Sequence, residues 1–184
     1  IQNMKLESGQ NASIITYKKK TPNIHPTAFL TEGVKIIGDV EIGEQSSVWY
    51  NTVIRGDVNW IKIGKRTNIQ DLSMLHVTHD YFPLSIGNSV TIGHSVKLHG
   101  ATIENNILIG IGAIVLDGAH IHSNSLIGAG TLIKEGFVVP EGVLVVGVPG
   151  KIIRDLTHEE IKNIEENANN YVKYVALYRS QLMF

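Results

Sequence analysis

Three of the eight histidines, His76, His94 and His99, fall close together in a stretch that also carries Arg55, Asp57, Gln70 and Asp71. Neutral imidazoles are the commonest metal ligands. Three of them leave a divalent ion such as Zn2+ with open positions, the arrangement of a catalytic rather than a structural site. Polar side chains beside apolar strand positions need partners, so a cluster of this kind is hard to read as incidental surface. His25, His120, His122 and His158 read as ordinary surface or core residues.

These side chains are positioned by a repeat. Ile103, Ile109, Val115, Ile121, Ile127, Ile133, Val139 and Val145 recur at every sixth position. The runs Ile36, Ile42, Val48, Ile54, then Ile63, Ile69, Leu75, then Ile86, Ile92, Leu98 share that period. A period of six fits neither the 3.6 of a helix nor an isolated alternating strand. It fits a short strand and a turn, repeated, with one aliphatic side chain pointing inward each time. Three such units close a triangular coil of about eighteen residues, and stacked coils pair as parallel strands ~4.8 Å apart. A single coil cannot bury its apolar face, but its neighbours bury it. The expected class is therefore all-β, a parallel β-helix with a C-terminal α-helix.

The phase of the repeat places the histidines. Two insertions interrupt it, one around Asn59 and Trp60, the other through His79-Asp80-Tyr81-Phe82-Pro83. If both bulge outward, Ile54, Leu75 and Leu98 stack in successive coils. The residues that follow them, Arg55, His76 and His99, then form a column on one side of the prism. His94 belongs to the adjacent face, above Asp71, and does not reach the pair within one chain. In a threefold assembly the column of one subunit meets Gln70, Asp71 and His94 of the next. Spacing thus predicts a metal site shared between subunits of a homotrimer.

Composition bounds the rest. The chain has 184 residues, 43% hydrophobic and 18% charged, with a formal net charge of −1. That charge supplies no field to recruit nucleic acid or an anionic membrane. No apolar run reaches the ~20 residues of a membrane span, and Ile1 to Ser13 lacks an apolar signal core. Cysteine is absent, which removes thiolate chemistry and fits a reducing, cytoplasmic setting. Three segments are expected: 1–20, flexible or partly foreign to the natural chain; 21–150, the β-helix; and 151–184, the helix. Thr157 followed by Glu160 reads as a capping box. Ile161, Ile164, Ala168, Tyr171, Val175, Tyr178 and Leu182 make one apolar stripe, expected to lie on the side of the prism.

Val53-Ile54-Arg55-Gly56-Asp57, Thr67-Asn68-Ile69-Gln70-Asp71, His76-Val77, and Thr91-Ile92-Gly93-His94 continuing to Leu98-His99-Gly100 resemble the γ-class carbonic anhydrases of the hexapeptide-repeat family. The resemblance implies left-handed coiling, which periodicity cannot show. It also implies zinc, or iron or cobalt, held by His76, His94 and His99 at the interfaces of a trimer. Arg55 and Asp57 would form salt bridges that position the site, and Asp71 would pair with Arg55 across the interface. Gln70 would hydrogen-bond the metal-bound water, with Asn68 near the substrate. The implied reaction is attack of metal-bound hydroxide on carbon dioxide, releasing bicarbonate and a proton. The water's pKa of about 7 is a value carried over from carbonic anhydrase zinc sites themselves.

Two departures from the family pattern stand out. Val58 occupies a position where well-characterised members carry glutamate, and the loop Val77 to Pro83 has only Asp80 as an acid. His79 is an alternative proton shuttle, its imidazole titrating near neutral pH. Two rival functions remain open: an acyltransferase using one histidine as general base, and a metal-holding scaffold without catalysis.

Overall fold

The computed structural model describes residues 12–181. The chain is a left-handed parallel β-helix with one C-terminal helix. Each inward aliphatic column runs the length of the prism. On the first face Ile54, Leu75, Leu98, Val115 and Ile133 are successive ladder partners. On the second, Ile63, Ile86, Ile103, Ile121 and Val139 stack likewise. The third carries Val48, Ile69, Ile92, Ile109, Ile127 and Val145. All of these side chains are buried. Successive coils keep this register because a slip of one residue would turn every apolar side chain outward.

Both insertions leave the prism on its outside. Strand Val53–Ile63 pairs with Lys35–Ile42 along two faces, and residues 57–60 bulge opposite Asp39 alone. The bulge begins at Gly38 and Gly56, where a Cβ on Gly38 would lie 2.3 Å from the Gly56 carbonyl oxygen. Only glycine permits that approach. Asp57 is swung outward by this bulge. The second insertion is a small hairpin closed by Thr78 and Phe82. Asn59 of the first bulge donates to the Thr78 carbonyl at 3.1 Å, so the two insertions brace one another.

Strand Ser13–Ile15 pairs with Lys35–Ile37, inside the segment 1–20 expected to be flexible. The remainder of that expectation, over residues 1–11, lies outside the described residues. After strand Val143–Val146 the chain reverses into Lys151–Asp155, which pairs with it antiparallel. The helix spans His158–Gln181. The capping box forms: the Thr157 backbone N–H donates to Glu160 Oε2 at 2.9 Å, and the Glu160 N–H donates to Thr157 Oγ1 at 3.2 Å. The helix lies along the third face of its own prism. Ile164, Ala168 and Val175 are buried, Tyr171 is partly so, and Trp49 meets the rings of Tyr171 and Tyr178 at 5.5 and 5.0 Å. Leu182 of the expected stripe lies outside the described residues.

Arg154 grips Glu160 with two hydrogen bonds of 2.8 Å. These bonds foremost, with the Thr157 N–H, push Glu160 down to about 2 from 4.5. A carboxylate whose folded value is depressed contributes stability that is complete above 4.5 and lost as pH falls through about 2. Glu160→Gln is therefore expected to lower stability at neutral pH, with the deficit closing as acid titrates the parent carboxylate. Urea melts of both chains at stepped pH check this. A deficit that persists unchanged into strong acid would rule it out.

Candidate metal centre

Strands Met74–His76 and Lys97–His99 are neighbours in the first face, and their register sets His76 directly against His99. The two rings meet at 5.0 Å between centroids, with His76 Nδ1 3.0 Å from His99 Nε2. The outer nitrogen of each ring faces a carboxylate. His76 Nε2 meets Asp57 Oδ1 at 3.0 Å, and His99 Nδ1 meets Asp117 Oδ1 at 2.6 Å. A carboxylate accepting the N–H on one side of an imidazole fixes the tautomer and turns the other nitrogen's lone pair away from it. In neutral rings so oriented, the lone pairs of His76 Nδ1 and His99 Nε2 point at one another across 3.0 Å. Two acceptors at that separation repel unless a proton or a metal cation lies between or beside them. Burial, first of all, holds His76 below its ordinary value, and the charge of Arg55 adds to this against the pull of Asp57. The shift favours the neutral ring, the form a metal ligand takes.

Arg55 extends from the same strand to donate to Asp57. Burial alone would raise the Asp57 pKa, but the hydrogen bonds from Arg55 and His76 outweigh it and hold the carboxyl below the usual range. Arg55 thus touches the pair through Asp57, while Asp71 bonds elsewhere in the same chain.

The second group sits at the corner between the third face and the first. Thr91–Ile92 pairs with Asn68–Ile69 in register, so His94 stacks over Asp71. His94 Nδ1 meets Asp71 Oδ2 at 2.7 Å. No hydrogen bond among the described residues joins His94 to His76 or His99, so a single chain brings together two histidines of the three. Gln70 and Asn68 lie beside this corner, both buried. Gln70 Nε2 donates to Asn68 Oδ1 at 3.0 Å, and Asn68 Nδ2 donates to Thr91 Oγ1 at 2.9 Å. This chain of bonds leaves the side-chain oxygen Oε1 of Gln70 as the free end. A cavity of about 430 Å³ opens there, lined by Gln70, Thr91, His94, Ile111 and Tyr171 among others. Burial first, and the nearby Asp71 charge second, push Tyr171 up to about 12, so its hydroxyl stays neutral.

Two residues of this neighbourhood, Asp117 and Thr91, escape a reading of the sequence. Asp117 is hidden because it lies at a corner, past the end of strand Ile114–Val115, where no ladder pair announces the side chain it faces. Ile103 follows Leu98 by five positions, so Val115 stacks on Leu98 and Asp117 lies beside Gly100. Thr91 reads in sequence as an ordinary β-branched strand residue. Tyr171 reads in sequence as a packing residue of the helix stripe with reach toward the site as the alternative, and it does both, packing on Trp49 and lining the cavity.

No family model matches the chain. A probable carbonic anhydrase from Methanocaldococcus jannaschii is 58% identical over 144 residues, covering 78% of this chain and 90% of that one. A carbonic anhydrase from Geobacillus kaustophilus is 47% identical over 167 residues, 91% of each chain. Among solved structures, a Bacillus cereus protein described as a candidate acetyltransferase superimposes with a TM-score of 0.90. It is 46% identical and covers 94% of this chain and 99% of that one. These likenesses span the coils that carry the histidines as well as the repeat that stacks them, and on them the chain belongs to the γ-class carbonic anhydrase family of hexapeptide-repeat proteins.

Proposed function

We propose that the protein catalyses the reversible hydration of carbon dioxide to bicarbonate at metal sites shared between the subunits of a homotrimer. The observation that carries this reading is the pair of imidazole nitrogens, His76 Nδ1 and His99 Nε2, 3.0 Å apart, each ring held from behind by a carboxylate. His76 and His99 of one subunit and His94 of the next would hold Zn2+, with Fe2+ or Co2+ equally suited to imidazole donors. Such an ion, when bound, acts as a Lewis acid that lowers the pKa of a water molecule at the site.

The remaining work falls to the protein. Asp57 and Asp117 fix the two tautomers, and Arg55 holds Asp57 in place. Asp71 orients His94, and in the trimer Arg55 of one subunit reaches Asp71 of its neighbour. Gln70, anchored through Asn68 to Thr91, presents its carbonyl oxygen to accept a hydrogen bond from water. Carbon dioxide and water give bicarbonate and one proton, which leaves through solvent at the exposed rim where His79 and Asp80 lie 2.8 Å apart. The exposed apolar residues Leu72, Met74, Ile111 and Ile114 line the corner beside His94 and support its being covered by a second subunit. Among the described residues no helix is long and apolar enough to cross a membrane, and the absence of cysteine supports a cytoplasmic setting.

The description of the B. cereus relative favours a second reading, acyl transfer from a thioester with one histidine as general base. One experiment separates the readings. Stopped-flow hydration of carbon dioxide is measured on protein loaded anaerobically with zinc, cobalt or ferrous iron, with His94→Ala as control and acetyl-coenzyme A turnover in parallel. Metal-dependent hydration that falls to the buffer rate in the control is expected. Thioester turnover without hydration would establish the transferase, and bound metal with neither activity would leave a scaffold.

A further inference from the structure

The second face of the prism carries another set of donors, distinct from the facing histidines of the first. His120 and His122 flank the inward Ile121, and both point outward because alternate residues of a strand share a face. Their rings stack 4.1 Å apart at 25°. Glu104 follows Ile103, the ladder partner of Ile121 one coil below, and so lies beneath them. Its Oε1 lies 2.9 Å from His120 Nε2 and 2.9 Å from His122 Nδ1. Its other oxygen is taken up by the Ser123 backbone N–H and hydroxyl, each at 3.0 Å. Among the described residues this is the set of three donor side chains whose ligand atoms all lie within 4.8 Å of one another. In sequence both histidines look ordinary; the register places them around one carboxylate oxygen.

We propose that Glu104, His120 and His122 bind a divalent transition metal, at a second site complete within one chain. Two imidazoles and one carboxylate are a donor set that zinc, cobalt, nickel and copper accept. Tetrahedral ligands at ~2.1 Å lie about 3.4 Å from one another. The present separations of 2.9 Å reach that by small side-chain rotations. Ser123 does for Glu104 what an outer hydrogen-bond partner does in established metal sites: it fixes one oxygen so that the other is aimed at the ion. Binding would exchange the protons that the two imidazoles direct at Oε1 for the ion, as metal binding to imidazole requires. Each donor side chain is about one-third exposed, at 37%, 37% and 34%, which leaves a further position to water. The site ties two adjacent coils together, so the metal acts on stability and not on the reaction at the shared histidines.

The test uses Co2+ and Zn2+ on the full chain carrying His94→Ala, which removes one ligand of the shared site. That chain is expected to retain one equivalent of Co2+ with a visible d–d spectrum, and its melting temperature should rise with added Zn2+. Adding Glu104→Gln, or in a separate chain His122→Gln, should abolish both the spectrum and the thermal shift. Circular dichroism without metal establishes that each variant is folded, and having two variants guards against one misfolding. Equal cobalt uptake and equal thermal response with and without these substitutions would overturn the proposal. So would a His94→Ala chain that binds no metal while the parent does, a result that leaves the shared site standing.

Discussion

Chains carrying His76→Ala and chains carrying His94→Ala, each devoid of shared-site metal by itself, are expected to regain it when mixed and reassembled. The expectation follows from the register. His76 and His99 are ladder partners on the first face, whereas His94 is bonded to Asp71 around the corner. In the proposed cyclic trimer each site would take the facing pair from one subunit and His94 from the next. A site is restored when a His94→Ala chain supplies the pair and a His76→Ala chain supplies the third ligand. Random assembly from equal amounts produces that combination at about a quarter of interfaces. Metal content and hydration rate of the mixture, each against the parent protein, should both recover to that extent. A mixture as empty as its components would mean that all three histidines of a site come from one chain. The second metal site is silenced in this experiment by placing Glu104→Gln in every chain.

Leu98→Ala is expected to lower the unfolding free energy by about 3 to 4 kcal/mol, the range for fully buried leucines whose surroundings collapse only in part. Leu98 has no exposed surface and lies between Leu75 and Val115 in the first inward column. The coils above and below are hydrogen-bonded to its own, so they cannot close on the vacated volume without breaking register. His99 is the next residue, and any tilt of this strand moves its ring relative to His76. Weaker metal binding is therefore expected alongside the loss of stability. Urea denaturation of the metal-free protein gives the first quantity, and cobalt titration of the folded variant gives the second. A loss below about 1 kcal/mol would mean that the column is less tightly packed than its burial indicates.

Much of this arrangement is legible in the order of residues alone because the repeat acts as a ruler. Aliphatic residues at a spacing of six must all point one way, and their common phase carries His76 onto His99 and His94 onto Asp71. The two insertions disturb neither result, since both leave the prism on its outer side. The capping box of Thr157 and Glu160 is legible for a different reason: it is a contact between residues three apart. Legibility fails where the ruler changes length. The step from Leu98 to Ile103 is one residue short, so a count in sixes sets Leu116 on Leu98 where the ladder sets Val115. It fails again where a role depends on the other elements that converge on a residue. Thr91 becomes an anchor only because Asn68 lies one coil away, and Tyr171 reaches the cavity only through the rotation of a docked helix. Glu104 and His122 are eighteen residues apart, three full hexads. Their meeting is implicit in the spacing, yet nothing in either residue's own surroundings calls attention to it.

Stacked parallel coils invite continuation. The last rung of such a ladder offers the same unpaired amide and carbonyl groups to a foreign strand as each inner rung offers to its successor, the growth habit of a fibril. On the third face strand Lys151–Asp155 occupies that rung in the opposite direction, with a register break between Leu144 and Val145. Its far end is held to the start of the helix through Arg154 and Glu160. An incoming chain finds there a strand of the wrong polarity, out of step with the repeat. End-to-end polymerisation is discouraged at that edge, and copies of the chain are left to meet flank to flank.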